Sequence, residues 1–184
     1  MQPSNWTKEL TQLSAEFRKA LSGLDSTVFN LKPSPKQWSI AQVLQHLIQV
    51  NQSYFDHFDQ IKQGNYRAPW LAKVGFWVKF CSRTVLNAVK PETERKTKTF
   101  GPWEPTESDL PIDLIEQFFQ QQEQLSEQLG SLANREDLDQ VIASPISRMI
   151  VYPLERAIEI VLVHERRHLQ QLLRIREQVK SLNG

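Results

Sequence analysis

A single cysteine, Cys81, stands in the 184 residues. No intramolecular disulfide can form, and no cysteine-based zinc or iron–sulfur site, so any metal has to be held by His, Asp or Glu. The first residues, Met1-Gln2-Pro3-Ser4-Asn5, lack the apolar core of a signal peptide. With the cysteine usage, this points to a reducing, cytoplasmic setting. A long hydrophobic run is also missing. The most apolar stretch, Trp70 to Val89, carries Lys73, Lys79 and Arg83, too many charges for a membrane span. There is no excess of one charge: 22 Lys and Arg stand against 21 Asp and Glu, so nucleic acid is not an expected partner. Only six glycines and no run of alternating β-branched residues argue against strands.

The chain is rich instead in the 3.6-residue period of helices. One helix is expected from about Trp6 to Leu24, with Leu10, Leu13, Phe17, Leu21 and Leu24 on one face. A second starts at Ser39. This serine suits an N-cap, Gln42 completes a capping box, and Trp38 and Val43 stand where a hydrophobic staple closes. Pro33 and Pro35 keep the preceding chain extended, and Gly64 ends the helix after about Lys62. A third spans roughly Leu110 to Leu132. A fourth begins near Pro153, a good first-turn proline, and continues to about Lys180. Helices of such similar length suit an all-α four-helix bundle, forming a single domain over residues 1–184.

Between the second and third helices lies an insertion, about 65–107. Residues 70–89 read as an additional amphipathic helix and 90–107 as a polar, proline-bearing loop. Lys79, Arg83 and Lys90 fall on one helical face. That face is either a solvated surface over a packed apolar one or a surface for a membrane or partner.

Three of the four histidines can be argued into one site. His164 and His168 are four residues apart in the last helix, hence ~40° apart around it and ~6 Å along it, which lets both imidazoles reach one ion. The face they occupy is otherwise apolar, with Ala157, Ile160 and Val161 before them and Leu172 and Ile175 after. His46 interrupts the second helix's apolar face in the same way, beside Val43, Leu47 and Val50. Three buried imidazoles without partners are costly, and a shared metal ion compensates all three. On spacing alone, the alternative that each is a satisfied core or rim histidine stays open. His57 lies eleven residues beyond His46, ~16 Å along the helix, and reads as a surface or bundle-end residue.

Two segments carry a resemblance. Trp38-Ser39-Ile40-Ala41-Gln42-Val43-Leu44-Gln45-His46-Leu47 resembles the tryptophan-to-histidine helix start of the DinB-like superfamily, and His164-Glu165-Arg166-Arg167-His168-Leu169-Gln170-Gln171 resembles its closing helix. That superfamily includes YfiT-type metal-dependent hydrolases and bacterial thiol transferases. The resemblance implies a four-helix bundle, often a homodimer, with His46, His164 and His168 holding nickel, zinc, iron or manganese. It implies no single reaction, because members range from transferases using low-molecular-weight thiols to proteins without known activity.

Three functions follow. The first is a metal-dependent transferase or hydrolase that activates water or a low-molecular-weight thiol against a small-molecule substrate. Here Gln171 is the candidate to support His168, against the commoner role of capping a polar interior network, and Glu165 is a weak candidate base, an exposed helix-face position being expected for it before a catalytic one. The second is a non-catalytic metal-binding or interaction bundle. The third is a zinc protease, because His164-Glu165-Arg166-Arg167-His168 matches H-E-x-x-H. Only sixteen residues follow His168, without a histidine and with Glu177 as their one acidic residue, so the usual downstream ligand is missing.

Overall fold

The computed structural model describes residues 2–91, 101–105 and 107–183. Its first long helix, α1 (Trp6–Leu21), buries Trp6, Leu10, Leu13 and Phe17 along one face. It stops three residues short of the expected Leu24 because Ser22 turns extended and Gly23 adopts φ +70°, a conformation glycine takes without steric cost. Arg176 then donates to the carbonyls of Ala20 and Ser22, satisfying acceptors that the end of α1 leaves free. A short helix, α2 (Ser26–Asn30), begins where the Asp25 carboxylate accepts from Val28 N at 2.8 Å.

The next helix, α3 (Ile40–Lys62), begins and ends where the sequence places it, and Gly64 beyond it has φ +70°. The insertion opens with a 3-10 turn, Trp70–Lys73, followed by α4 (Gly75–Val89). Much of the polar loop expected over 90–107 lies outside the described residues. Its Gly101–Trp103 turn is described, and Trp103 packs against the core. The helix α5 (Leu114–Ala133) starts four residues after the expected Leu110. Pro111 follows Leu110, and a residue before proline is pushed out of helical backbone. Leu110 instead exchanges two backbone bonds with the Asn30 side chain, at 2.8 and 2.9 Å. The last helix is α6 (Leu154–Asn183).

Four helices close a ring in which α3 packs on α5, α5 on α1, α1 on α6 and α6 on α3. Phe17 and Phe118 meet edge-to-face inside it at 4.9 Å, a pairing worth ~0.5–1.5 kcal/mol beyond area burial. The fold is all-α apart from one feature that the sequence reading did not expect, a hairpin of β1 (Val141–Ser144) and β2 (Ser147–Pro153). It pairs antiparallel with Ile142 opposite Tyr152, and its register slips between Ala143 and Ser144. Four residues on one side are too few to show a two-residue period, and a lone hairpin is marginal in water. Tertiary contacts hold this one. Its β2 strand packs on α4, the Ala143 N–H donates to the Tyr66 hydroxyl at 2.8 Å, and the buried Tyr152 and Tyr54 hydroxyls bond at 2.7 Å. Among the described residues, no helix is long and apolar enough to cross a membrane.

Candidate metal centre

The site begins with the start of α3. Ser39 Oγ accepts from Gln42 N, and Gln42 Oε1 accepts in return from Ser39 N, both at 3.2 Å. The second function of Gln42 is longer in range, because its amide donates to the Glu107 carbonyl at 2.8 Å. That ties the end of the insertion over the first turn of α3. Two turns inward, His46 meets α6. Its Nε2 lies 3.2 Å from His164 Nε2, and His168 Nε2 lies 3.0 Å from the same atom. The ligand atoms of the three residues all lie within 4.8 Å of one another. Two nitrogens on a tetrahedral ion with ~2.05 Å bonds stand about 3.3 Å apart, so the spacing fits a shared ion.

Tautomer and charge fit as well. His46 Nδ1 is 2.7 Å from the Trp103 carbonyl oxygen. A carbonyl only accepts, so Nδ1 carries the hydrogen and Nε2 turns its lone pair inward. Burial lowers the pKa of His46, opposed by that carbonyl. Burial also holds His164 well below the ordinary value, followed by repulsion from His46 and Arg167. For His168 the causes are burial, then repulsion from His164 and His46, with Gln171 pulling the other way. His168 Nδ1 has no hydrogen-bond partner among the described residues. Neutral imidazoles are the form that binds metal. Between them Nε2 faces Nε2, and at most one of two such facing nitrogens can donate, so the cluster cannot satisfy itself.

Trp38 forms a wall of the site, stacked on His168 at 6.2 Å and 12° and tilted against His46 at 5.1 Å. His46 and His168 are buried, whereas His164 keeps partial exposure. Among the described residues no fourth His, Cys, Asp or Glu joins the group. The arrangement is thus a cluster of three nitrogens that could hold a metal ion.

Glu165 is placed elsewhere. The expected exposed helix-face position is wrong: its side chain is 0% exposed, and Oε1 accepts from Asn51 at 2.6 Å and Gln122 at 3.0 Å. One residue of α6 rotates a side chain by ~100°, which sends His164 toward His46 and Glu165 into the middle of the bundle. Burial pushes the Glu165 carboxyl up to about 7 against those two amide donors. The H-E-x-x-H pattern is met in sequence, but the third histidine comes from upstream and the glutamate is engaged by amides away from the cluster. His57 is half-buried beside Tyr66, 5.6 Å between rings, and lines a cavity of about 400 Å³ with Tyr66 and the hairpin turn. A larger groove of about 850 Å³ runs between α1 and α5. Neither cavity is lined by the three histidines.

Sequence reasoning missed three contributors. The Trp103 carbonyl carries no sequence signal, being backbone. Asn51 and Gln122 are legible only as polar residues on apolar faces, the same signal that marked His46, and they went unread because amides are ordinary on helix surfaces.

The sequence model described as DinB superfamily matches residues 9–172, and the chain belongs to that superfamily. No curated protein and no solved structure matches it.

Proposed function

We propose that this member of the DinB superfamily holds one divalent ion on His46, His164 and His168 and acts as a metal-dependent transferase or hydrolase on a small-molecule substrate. The observation that carries the reading is the convergence of three imidazole Nε2 atoms, 3.0 and 3.2 Å apart, with a hydrogen-bonded tautomer behind His46. A nickel, zinc, iron or manganese ion held by His46, His164 and His168 would supply Lewis acidity toward water or a low-molecular-weight thiol. The chain's own residues prepare for this. The Trp103 carbonyl orients His46, burial keeps all three rings neutral, Trp38 shields one side from water, and Gln171 steadies His168. The partial exposure of His164 leaves an approach for substrate. A homodimer is the assembly that fits the family.

A second reading, metal binding without turnover, is favoured by the absence of the three histidines from both cavities. One experiment separates the two. Purified protein is loaded with zinc, nickel, iron(II) or manganese and its metal content measured. Low-molecular-weight thiols, and water alone, are then screened against electrophilic substrates. Turnover by the loaded protein that disappears in His168→Ala supports the enzyme. Stoichiometric metal without turnover for any pair supports the second reading, and failure to bind any of the four ions overturns both.

A further inference from the structure

The insertion carries a surface that the metal centre does not use. Residues 60–91 contain six basic residues (Lys62, Arg67, Lys73, Lys79, Arg83 and Lys90) and no Asp or Glu. The rest of the chain therefore has sixteen basic and twenty-one acidic residues, so a chain near neutrality overall is sharply divided. Lys62 pairs with Asp59. Among the described residues Lys73, Lys79 and Arg83 make no ion pair, and all three are exposed.

The same segment displays, among the described residues, the most exposed large apolar side chains, Phe76 at 76% and Trp70 at 74%, with Phe80 at 57%. Phe76 and Phe80 are one turn apart on the outer face of α4, interleaved with Lys79 and Arg83, while Val78 and Cys81 are buried on its inner face. Trp77 joins this face to the hairpin: its ring stacks on Phe80 at 5.4 Å and its indole N–H donates to the Met149 carbonyl at 2.8 Å. Met149 itself is 65% exposed. The 3-10 turn bearing Trp70 packs on the same β2 strand, so aromatics and cations form one preorganised patch.

We propose that this patch docks on an anionic lipid surface, with Trp70, Phe76 and Phe80 entering the interfacial layer and Lys73, Lys79 and Arg83 facing lipid phosphates. Phenylalanine and tryptophan beside lysine and arginine suit that boundary, because the rings partition into it and the long cationic stems reach back to the headgroups. The Phe76 and Phe80 rings stand on the face of α4 and Trp70 on the 3-10 turn before it, and none lines either cavity, a shape that enters a lipid layer more readily than it receives a protein side chain. A second copy of the chain fits poorly, since a twofold interface sets the same unpaired cations against themselves.

The test uses the full chain in co-sedimentation with phosphatidylcholine vesicles, with and without phosphatidylserine at roughly a third of the lipid. Expected are binding to the anionic vesicles only, weakening as salt rises, and a loss of bound fraction of about tenfold in both Phe76→Ser/Phe80→Ser and Lys79→Glu/Arg83→Glu. These positions are exposed, so the variants keep the wild-type melting temperature and circular dichroism. Absent binding, or equal binding to neutral vesicles, overturns the proposal. So does a dimer in sedimentation equilibrium that Phe76→Ser/Phe80→Ser dissolves without any vesicle binding, which assigns the patch to a second copy. So does binding to an acidic protein in place of vesicles.

Discussion

Two clusters of polar groups share α3 and α6, and they are built differently. In one, the Glu165 carboxylate takes hydrogen bonds from Asn51 and Gln122, and Ser14 donates in turn to Gln122 at 3.1 Å. Two amide donors meet one carboxylate oxygen, and the protein supplies all three groups. In the other, three imidazole nitrogens lie close together, and a hydrogen bond from His46 to the Trp103 carbonyl lies behind one ring. A buried polar group is tolerated when it is paired. The first cluster is paired through one Glu165 oxygen, with Glu165 Oε2 and Asn51 Oδ1 left without a partner among the described residues, whereas the second is three nitrogens that could hold a metal ion. Adjacent residues, His164 and Glu165, belong to the two different kinds.

The largest expected effect that would test this difference is on metal content. His46→Ala takes bound metal from about one ion per chain to nearly none, read by elemental analysis. Unchanged content breaks the assignment of the histidine cluster. Next, Glu165→Ala leaves the Asn51 and Gln122 amides without their acceptor and costs ~1–3 kcal/mol of stability in denaturant melts, with metal content kept. A loss of metal there would show that the clusters are one unit. Glu165→Gln keeps an acceptor for both amides and stays within ~1 kcal/mol of wild type near neutral pH.

The clusters also respond to pH with opposite sign. The histidines have pKa values below 6.5 in the fold, so below pH 6.5 the unfolded chain takes up protons that the native state refuses. Metal-free protein loses stability as pH falls through that region. Glu165 is raised from 4.5 to about 7, so its contribution is complete below pH 4.5 and is lost as pH rises toward 7. Melting curves of metal-free wild type and Glu165→Gln from acid to neutral pH separate the two, because the variant retains only the acid-side loss. The smallest effect is expected at His57→Ala, which leaves metal content unchanged. A loss there would move the site to the wrong end of α3.

Much of this was legible in the residues. The start of α3 follows from Ser39 and Gln42, whose reciprocal bonds form locally. The three histidines were legible because each breaks an apolar face, and a face is a property of helical period. Glu165 was misjudged because its neighbours in sequence are Arg166 and Arg167, which suggest a solvated face. Only the packing of α6 against α3 and α5 brings Asn51 and Gln122 to it. The hairpin stayed hidden because four residues carry too little period, and its stability comes from Tyr66 and α4.

By itself, the sequence determined where the long helices lie, which faces are apolar and that three imidazoles lie on those faces, because helix period and capping act over a few neighbouring residues. Tertiary structure alone decided that the His46 and His168 nitrogens come within 3.0–3.2 Å of that of His164, that a distant carbonyl fixes His46, and that amides from α3 and α5 reach one oxygen of the next residue after His164. Those facts depend on how helices far apart in the chain cross, and no local pattern encodes a crossing.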